Sequence, residues 1–184
     1  MRVQAWRRGS RWLALSMLLM AGAAQAEGRQ LGGVQMPESL QLQGRRLELA
    51  HMELQKRLFF KVCVWSLYLE QRPTSTSEAI SSNTVKRLHF RFLRNISKDQ
   101  LVGSFRDGLQ KSADLRQGPL AGQLDVLLAS LRDVRKGGDL VITYTPDVGL
   151  EIAGDASGGV FIPGKGFADA LFAVWLDAHP IFPR

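Results

Sequence analysis

The chain has 184 residues, 45% apolar and 22% charged, with a formal net charge of +7. That length supports one domain with a sizeable core, and the balance of apolar and charged residues is not that of a disordered chain. A single cysteine, Cys63, excludes an internal disulfide framework.

The first 26 residues stand apart from the rest. Arg2, Arg7, Arg8 and Arg11 precede the apolar run Trp12–Ala23, and Ala24-Gln25-Ala26 is a small-x-small cleavage site before Glu27. This order is that of a secretory signal; the run falls short of the about 20 apolar residues of a membrane helix. Arg7-Arg8 lacks the rest of a twin-arginine motif, so the general export route is expected. The sequence therefore predicts a signal over 1–26, a domain over 27–184 and a periplasmic or secreted bacterial protein with no stable membrane span after cleavage. Removing four arginines and no acid leaves +3 (7 − 4). No basic cluster interleaved with aromatics remains, so nucleic acid is not an expected partner.

Glu27–Val34 is polar and glycine-bearing and reads as a loose start. Leu40–Leu49 alternates apolar and polar around Gly44, as a strand pair or one bent strand. His51–Lys56 leads into Arg57–Glu70 (RLFFKVCVWSLYLE), the longest apolar, aromatic and β-branched run of the mature chain. Leu58, Phe60, Val62, Val64 and Tyr68 share one face of it. Phe59, Cys63, Trp65, Leu67 and Leu69 share the other, with Lys61. This predicts one central strand covered on both sides, with Cys63 a buried, inert thiol.

Gln71–Thr84 is a surface connection with a short helix near Ser77–Ser81. Lys86–Leu93 is the next strand. Ser97 and Gln100 form a capping box, which starts a helix at Lys98 running to about Ser112, with Leu101, Val102, Phe105 and Leu109 on one face. A second helix follows Pro119. Asp139–Thr145 and Val148–Ile152 are strands joined around Pro146-Asp147. Gly159–Ile162 is a further strand, and Lys165–Asp177 an amphipathic helix. The order points to an α+β fold, a large antiparallel sheet with a layer of helices on one face.

Few motifs carry chemistry on spacing alone. Gly159–Lys165 matches G-x-x-x-x-G-K, yet Gly166 stands where a P-loop holds Ser or Thr, and Pro163 removes an N–H that phosphate needs. His51, His89 and His179 lack metal-ligand spacing. No cofactor and no metal are predicted, and no nucleophile elbow is present.

Leu58–Leu69 resembles the hallmark strand of bacterial chalcone isomerase-like proteins, G-x-R-x-K-F-F-F-K-V-Y-V-x-x-L-Y-L. Leu93–Leu101, Phe105–Leu109, Lys136-Gly137-Gly138-Asp139 and Phe167–Leu176 resemble further segments of that family in the same order. The resemblance implies an open-faced sandwich with a ligand cleft between sheet and helices. In the plant enzymes that cleft closes a flavanone ring, using an arginine, hydroxyl residues and an asparagine; non-catalytic relatives hold fatty acids there. Carried over residue by residue, the family's arginine falls on Gln55, its threonine or tyrosine on Cys63, its helix tyrosine on Phe105 and its asparagine on Ser112. Arg57 shares the parity of Gln55 and Cys63 and is the candidate replacement cation. A thiol and a bare ring are poor substitutes for hydroxyl donors.

The resemblance therefore implies an exported, non-catalytic domain holding a fatty acid or other apolar molecule near Gln55, Arg57, Cys63, Phe105 and Ser112. Two alternatives stand beside it. One is an intramolecular lyase or isomerase with a rearranged site; the other is a structural or protein-interaction role with a closed cleft. The sequence names no protein partner.

Overall fold

The computed structural model describes residues 28–109, 118, 120–179 and 181; the segment read as a signal and Ser112 lie outside the described residues. In chain order the elements are β1 (Gly28–Leu31), β2 (Val34–Pro37), β3 (Ser39–Leu42), β4 (Arg45–Arg57), β5 (Phe60–Leu69), α1 (Thr76–Ser81) and β6 (Lys86–Phe92). They continue as α2 (Lys98–Leu109), α3 (Ala121–Ser130), β7 (Asp139–Thr145), β8 (Gly149–Ala153), β9 (Val160–Pro163) and α4 (Lys165–Ala178).

Strands β3 to β9 form one seven-stranded antiparallel sheet in chain order. β6 alternates as a strand with one face in the main core does, whereas β5 is buried on both faces from Cys63 to Leu69. In β6, Lys86, Leu88, Phe90 and Phe92 are buried while Arg87, His89 and Arg91 are half-buried on the other face. The buried row meets the helices, where Leu101, Leu109, Leu127, Phe167, Leu171 and Phe172 join Trp65, Phe90 and Ile142 in the main core. This is the α+β sandwich expected.

The helix ends follow from local chemistry. At the start of α2 the Gln100 N–H donates to Ser97 Oγ at 3.2 Å, and the Ser97 N–H donates to Gln100 Oε1 at 3.0 Å. The capping box thus satisfies two N–H groups that the first turn leaves without partners. The G-x-x-x-x-G-K segment is β9 followed by Gly164, the N-cap of α4 at φ 95°, and Lys165 pairs with Asp169 one turn on.

Three expectations are corrected. The stretch read as a loose start, Glu27–Val34, is ordered over its described residues: β1 and β2 form an antiparallel hairpin turned at Gly32-Gly33, where φ is 61° and 88°. A turn with two positive φ values fits the twist of a tight hairpin, and glycine adopts it without steric cost. The hairpin covers the sheet face opposite the helices, packing Val34 and Met36 on Leu47, Leu49, Val64 and Tyr68. Tyr68 Oη donates to the Pro37 carbonyl at 3.0 Å.

Second, Arg57–Glu70 is not one strand. Leu58 and Phe59 turn the chain between β4 and β5, and Arg57 pairs with Phe60 across that turn. His51–Lys56 is therefore the second half of β4, not a lead-in.

Third, β5 carries one extra residue, Val62, between the pairs Gln55–Cys63 and Lys56–Lys61. A bulge of this kind reverses the side-chain alternation beyond it. Phe60 and Val62 consequently join the face of Cys63 and Trp65, while Val64 and Tyr68 remain on the other.

Candidate functional site

A cavity of about 440 Å³ lies between the sheet and helices α2 and α4. Its floor includes Leu88, Phe90 and Phe92 of β6 with Leu140 and Ile142 of β7; its roof includes Leu101, Phe105 and Leu109 of α2 with Leu171, Val174 and Trp175 of α4. The buried lining residues sit deep between the layers, whereas Lys56, Arg57, Leu58, Phe60, Arg94 and Gln100 are exposed lining residues and form the mouth. An apolar interior with a few polar groups converging at one end is the usual form of a small-molecule site, and the volume lies within the common range of about 300–1,000 Å³.

Four sequence candidates reach this cavity. Gln55, Arg57, Cys63 and Phe105 all line it. Gln55 and Cys63 are partners across the β4–β5 ladder, and Arg57 is one pleat further along β4. Phe105 adds an apolar ring to the roof.

Burial pushes the Cys63 thiol up to about 12, with the nearby Glu53 carboxylate acting in the same sense. That shift favours the neutral thiol form of Cys63.

Arg94 is the principal residue that sequence reasoning missed. It lies just past β6, and its guanidinium sits 5.3 Å from the centre of the Phe60 ring. A stacked guanidinium keeps its in-plane donors free for a carboxylate. No ion pair among the described residues includes Lys56, Arg57 or Arg94. Among the described residues the cavity wall includes no Asp or Glu. The mouth thus presents three cations, with no acid among the described lining residues to neutralise them.

A cluster of rings stands where the end of α4 meets β4. Trp65 packs against His51, Trp175 and His179 at ring distances of 4.9, 5.6 and 5.6 Å. Glu53 Oε2 lies 3.5 Å from His51 Nε2 and 3.4 Å from His179 Nδ1. Trp175 and His179 also line the cavity. Sequence spacing gave no sign of this cluster, because β4 and the last helix meet only through the fold. Among the described residues no group of three His, Cys, Asp or Glu is arranged to hold a metal ion.

The family model for chalcone isomerase-like proteins matches residues 28–182. The chain belongs to the chalcone isomerase-like family. No curated protein matches its sequence. Among solved structures, the fatty-acid binding protein of Arabidopsis thaliana is similar to it with a TM-score of 0.59 at 13% identity, over 84% of this chain and 91% of that one. At that identity the likeness shows the fold. Among the described residues no helix is long and apolar enough to cross a membrane.

Proposed function

We propose that this protein is an exported, non-catalytic binding domain for a fatty acid or a similar long apolar acid. The observation that carries the reading is the cavity itself, an apolar interior whose open end holds Arg57 and Arg94 with no carboxylate among the described lining residues. The acyl chain lies on Leu88, Phe90, Phe92 and Leu140, where each buried methylene contributes about 0.8 kcal/mol. The carboxylate sits at the mouth, taking charge-assisted hydrogen bonds from Arg57 and Arg94, with the Gln55 amide beside it. The Arabidopsis neighbour's description as a fatty-acid binding protein supports this choice of ligand.

A non-catalytic role is supported by the neutral Cys63 thiol and by Phe105, a ring without a hydroxyl in the roof. The open cavity weighs against a cleft packed shut by its own side chains. Export is supported by the basic, apolar and small-residue order of Met1–Ala26. Native mass spectrometry of the purified protein tests the ligand class. Acyl acids retained by wild type and lost from Arg57→Ala/Arg94→Ala are expected; wild type that carries no acyl acid, even after incubation with palmitate, overturns the reading. Cell fractionation with intact-mass measurement tests export, the expected result being a periplasmic or secreted species beginning near Glu27.

A further inference from the structure

The β4–β5 hairpin runs past the end of its neighbour. The β5–β6 ladder ends at the pair Cys63–Phe92, and beyond it residues 56–61 are all exposed. At the tip Leu58 is 85% exposed, Phe59 97% and Phe60 61%. Scattered apolar side chains on a surface are ordinary, but three large ones in succession at a projecting tip form a patch that asks for a partner.

The backbone adds to the point. Leu58 has φ 53°, in a two-residue turn where Gly, Asn or Asp is the favoured choice. A branched apolar residue in the left-handed region is strained, and such strain concentrates at functional positions.

The charges around the tip share one sign. Lys56, Arg57 and Lys61 flank it on the two strands, and Arg94 stacks on Phe60. No Asp or Glu occurs between Leu54 and Leu69. Long basic side chains around an exposed apolar tip match a surface of anionic headgroups over hydrocarbon. The apolar residues enter the acyl boundary while the cations stay at phosphate level. The same hairpin forms the cavity mouth, since Arg57, Leu58 and Phe60 belong to both.

We infer that the Leu58-Phe59-Phe60 tip docks the protein on an anionic phospholipid bilayer and so sets the cavity mouth against the membrane surface. The docking is independent of what the cavity holds. A bilayer is favoured over a protein groove because the tip runs past the end of the β5–β6 ladder, is flanked by cations and is continuous with an apolar cavity.

A probe local to the tip tests this in the full chain. Phe59→Cys is labelled with an environment-sensitive fluorophore, Cys63 being buried, and Val148→Cys on the β7–β8 turn, 52% exposed in wild type, is the control site. With vesicles of phosphatidylcholine and phosphatidylglycerol the tip probe shifts to the blue and is quenched by brominated acyl chains, while the control site is silent. Vesicles of phosphatidylcholine alone bind at least tenfold more weakly. Lys61→Glu, or a rise from about 0.1 to about 1 M salt, which shortens the screening length from about 10 to about 3 Å, weakens the response severalfold. A tip probe that stays in water on anionic vesicles, or that responds equally to neutral ones, overturns the inference.

Discussion

Gln55 stands directly opposite Cys63 across the β4–β5 pair, and both line the cavity. One hairpin therefore supplies Gln55, Arg57 and Cys63 to the polar end of the site, with Arg57 a pleat beyond Gln55 and Phe60 opposite Arg57, while Arg94 reaches it from beyond β6. Because burial holds the Cys63 thiol at about 12, its thiolate is scarce at any mild pH. Thiol reagents in excess are expected to leave folded wild type unmodified at mildly alkaline pH and to modify it fully in denaturant. Rapid modification of the native protein would show that Cys63 is a reactive group.

Lys86 makes the case for a buried charge used in structure. Its ammonium is fully buried and donates to the Ala79, Ile80 and Ser82 carbonyls at the end of α1, with Asp169 at 3.6 Å. Desolvation lowers its pKa from 10.5 to about 8, against the raising effect of Asp169. Between those values the unfolded chain binds more protons than the folded one, so stability from this group rises with pH. Lys86→Met is expected to destabilise by about 1–3 kcal/mol through the unpaired carbonyls. The advantage of wild type over it grows from pH 8 to 10.5. Chemical denaturation of both proteins across that range checks the trend; a flat difference would contradict it.

Tyr68 ties the central strand to the β1–β2 hairpin on the face opposite the helices, its ring packed with Val64, Val34 and Met36 and its hydroxyl donating to Pro37. Tyr68→Phe is expected to cost about 1 kcal/mol. Faster amide exchange should be confined to β1 and β2, as read by hydrogen exchange.

In α2, a Cβ added at Gly103 meets nothing within 4 Å. Gly103→Ala is therefore expected to stabilise the protein by about 0.5–1 kcal/mol, through the lower entropy cost of fixing alanine in a helix. Thermal unfolding reads it, and ligand binding should be unchanged because Gly103 is not part of the cavity wall.

The helices and most strands were legible because their signals are local: the Ser97–Gln100 box, the leucine spacing of α3, the alternation in β6. The turn at Leu58-Phe59 was not, since neither residue is a turn former and the apolar run continues through it. The bulge at Val62 left no mark either, so Phe60 and Val62 were placed on the wrong face. Gly32-Gly33 did carry a hairpin signal, obscured by the polar residues around it. Of the site, Gln55, Arg57, Cys63 and Phe105 were reached through parity and family resemblance. Arg94 and the His51–Glu53–His179 cluster were not, because only tertiary packing brings them to the cavity and its rim.

The central claim is that the cavity binds a long apolar acid by its chain and its carboxylate together. Calorimetric titration of palmitate into wild type and into Arg57→Ala/Arg94→Ala tests it most directly. One saturable site per chain is predicted, with affinity falling at least tenfold in the double variant, consistent with about 1.5–3 kcal/mol for each charge-assisted hydrogen bond. Absence of saturable binding to wild type, or equal affinity in the double variant, would contradict the account.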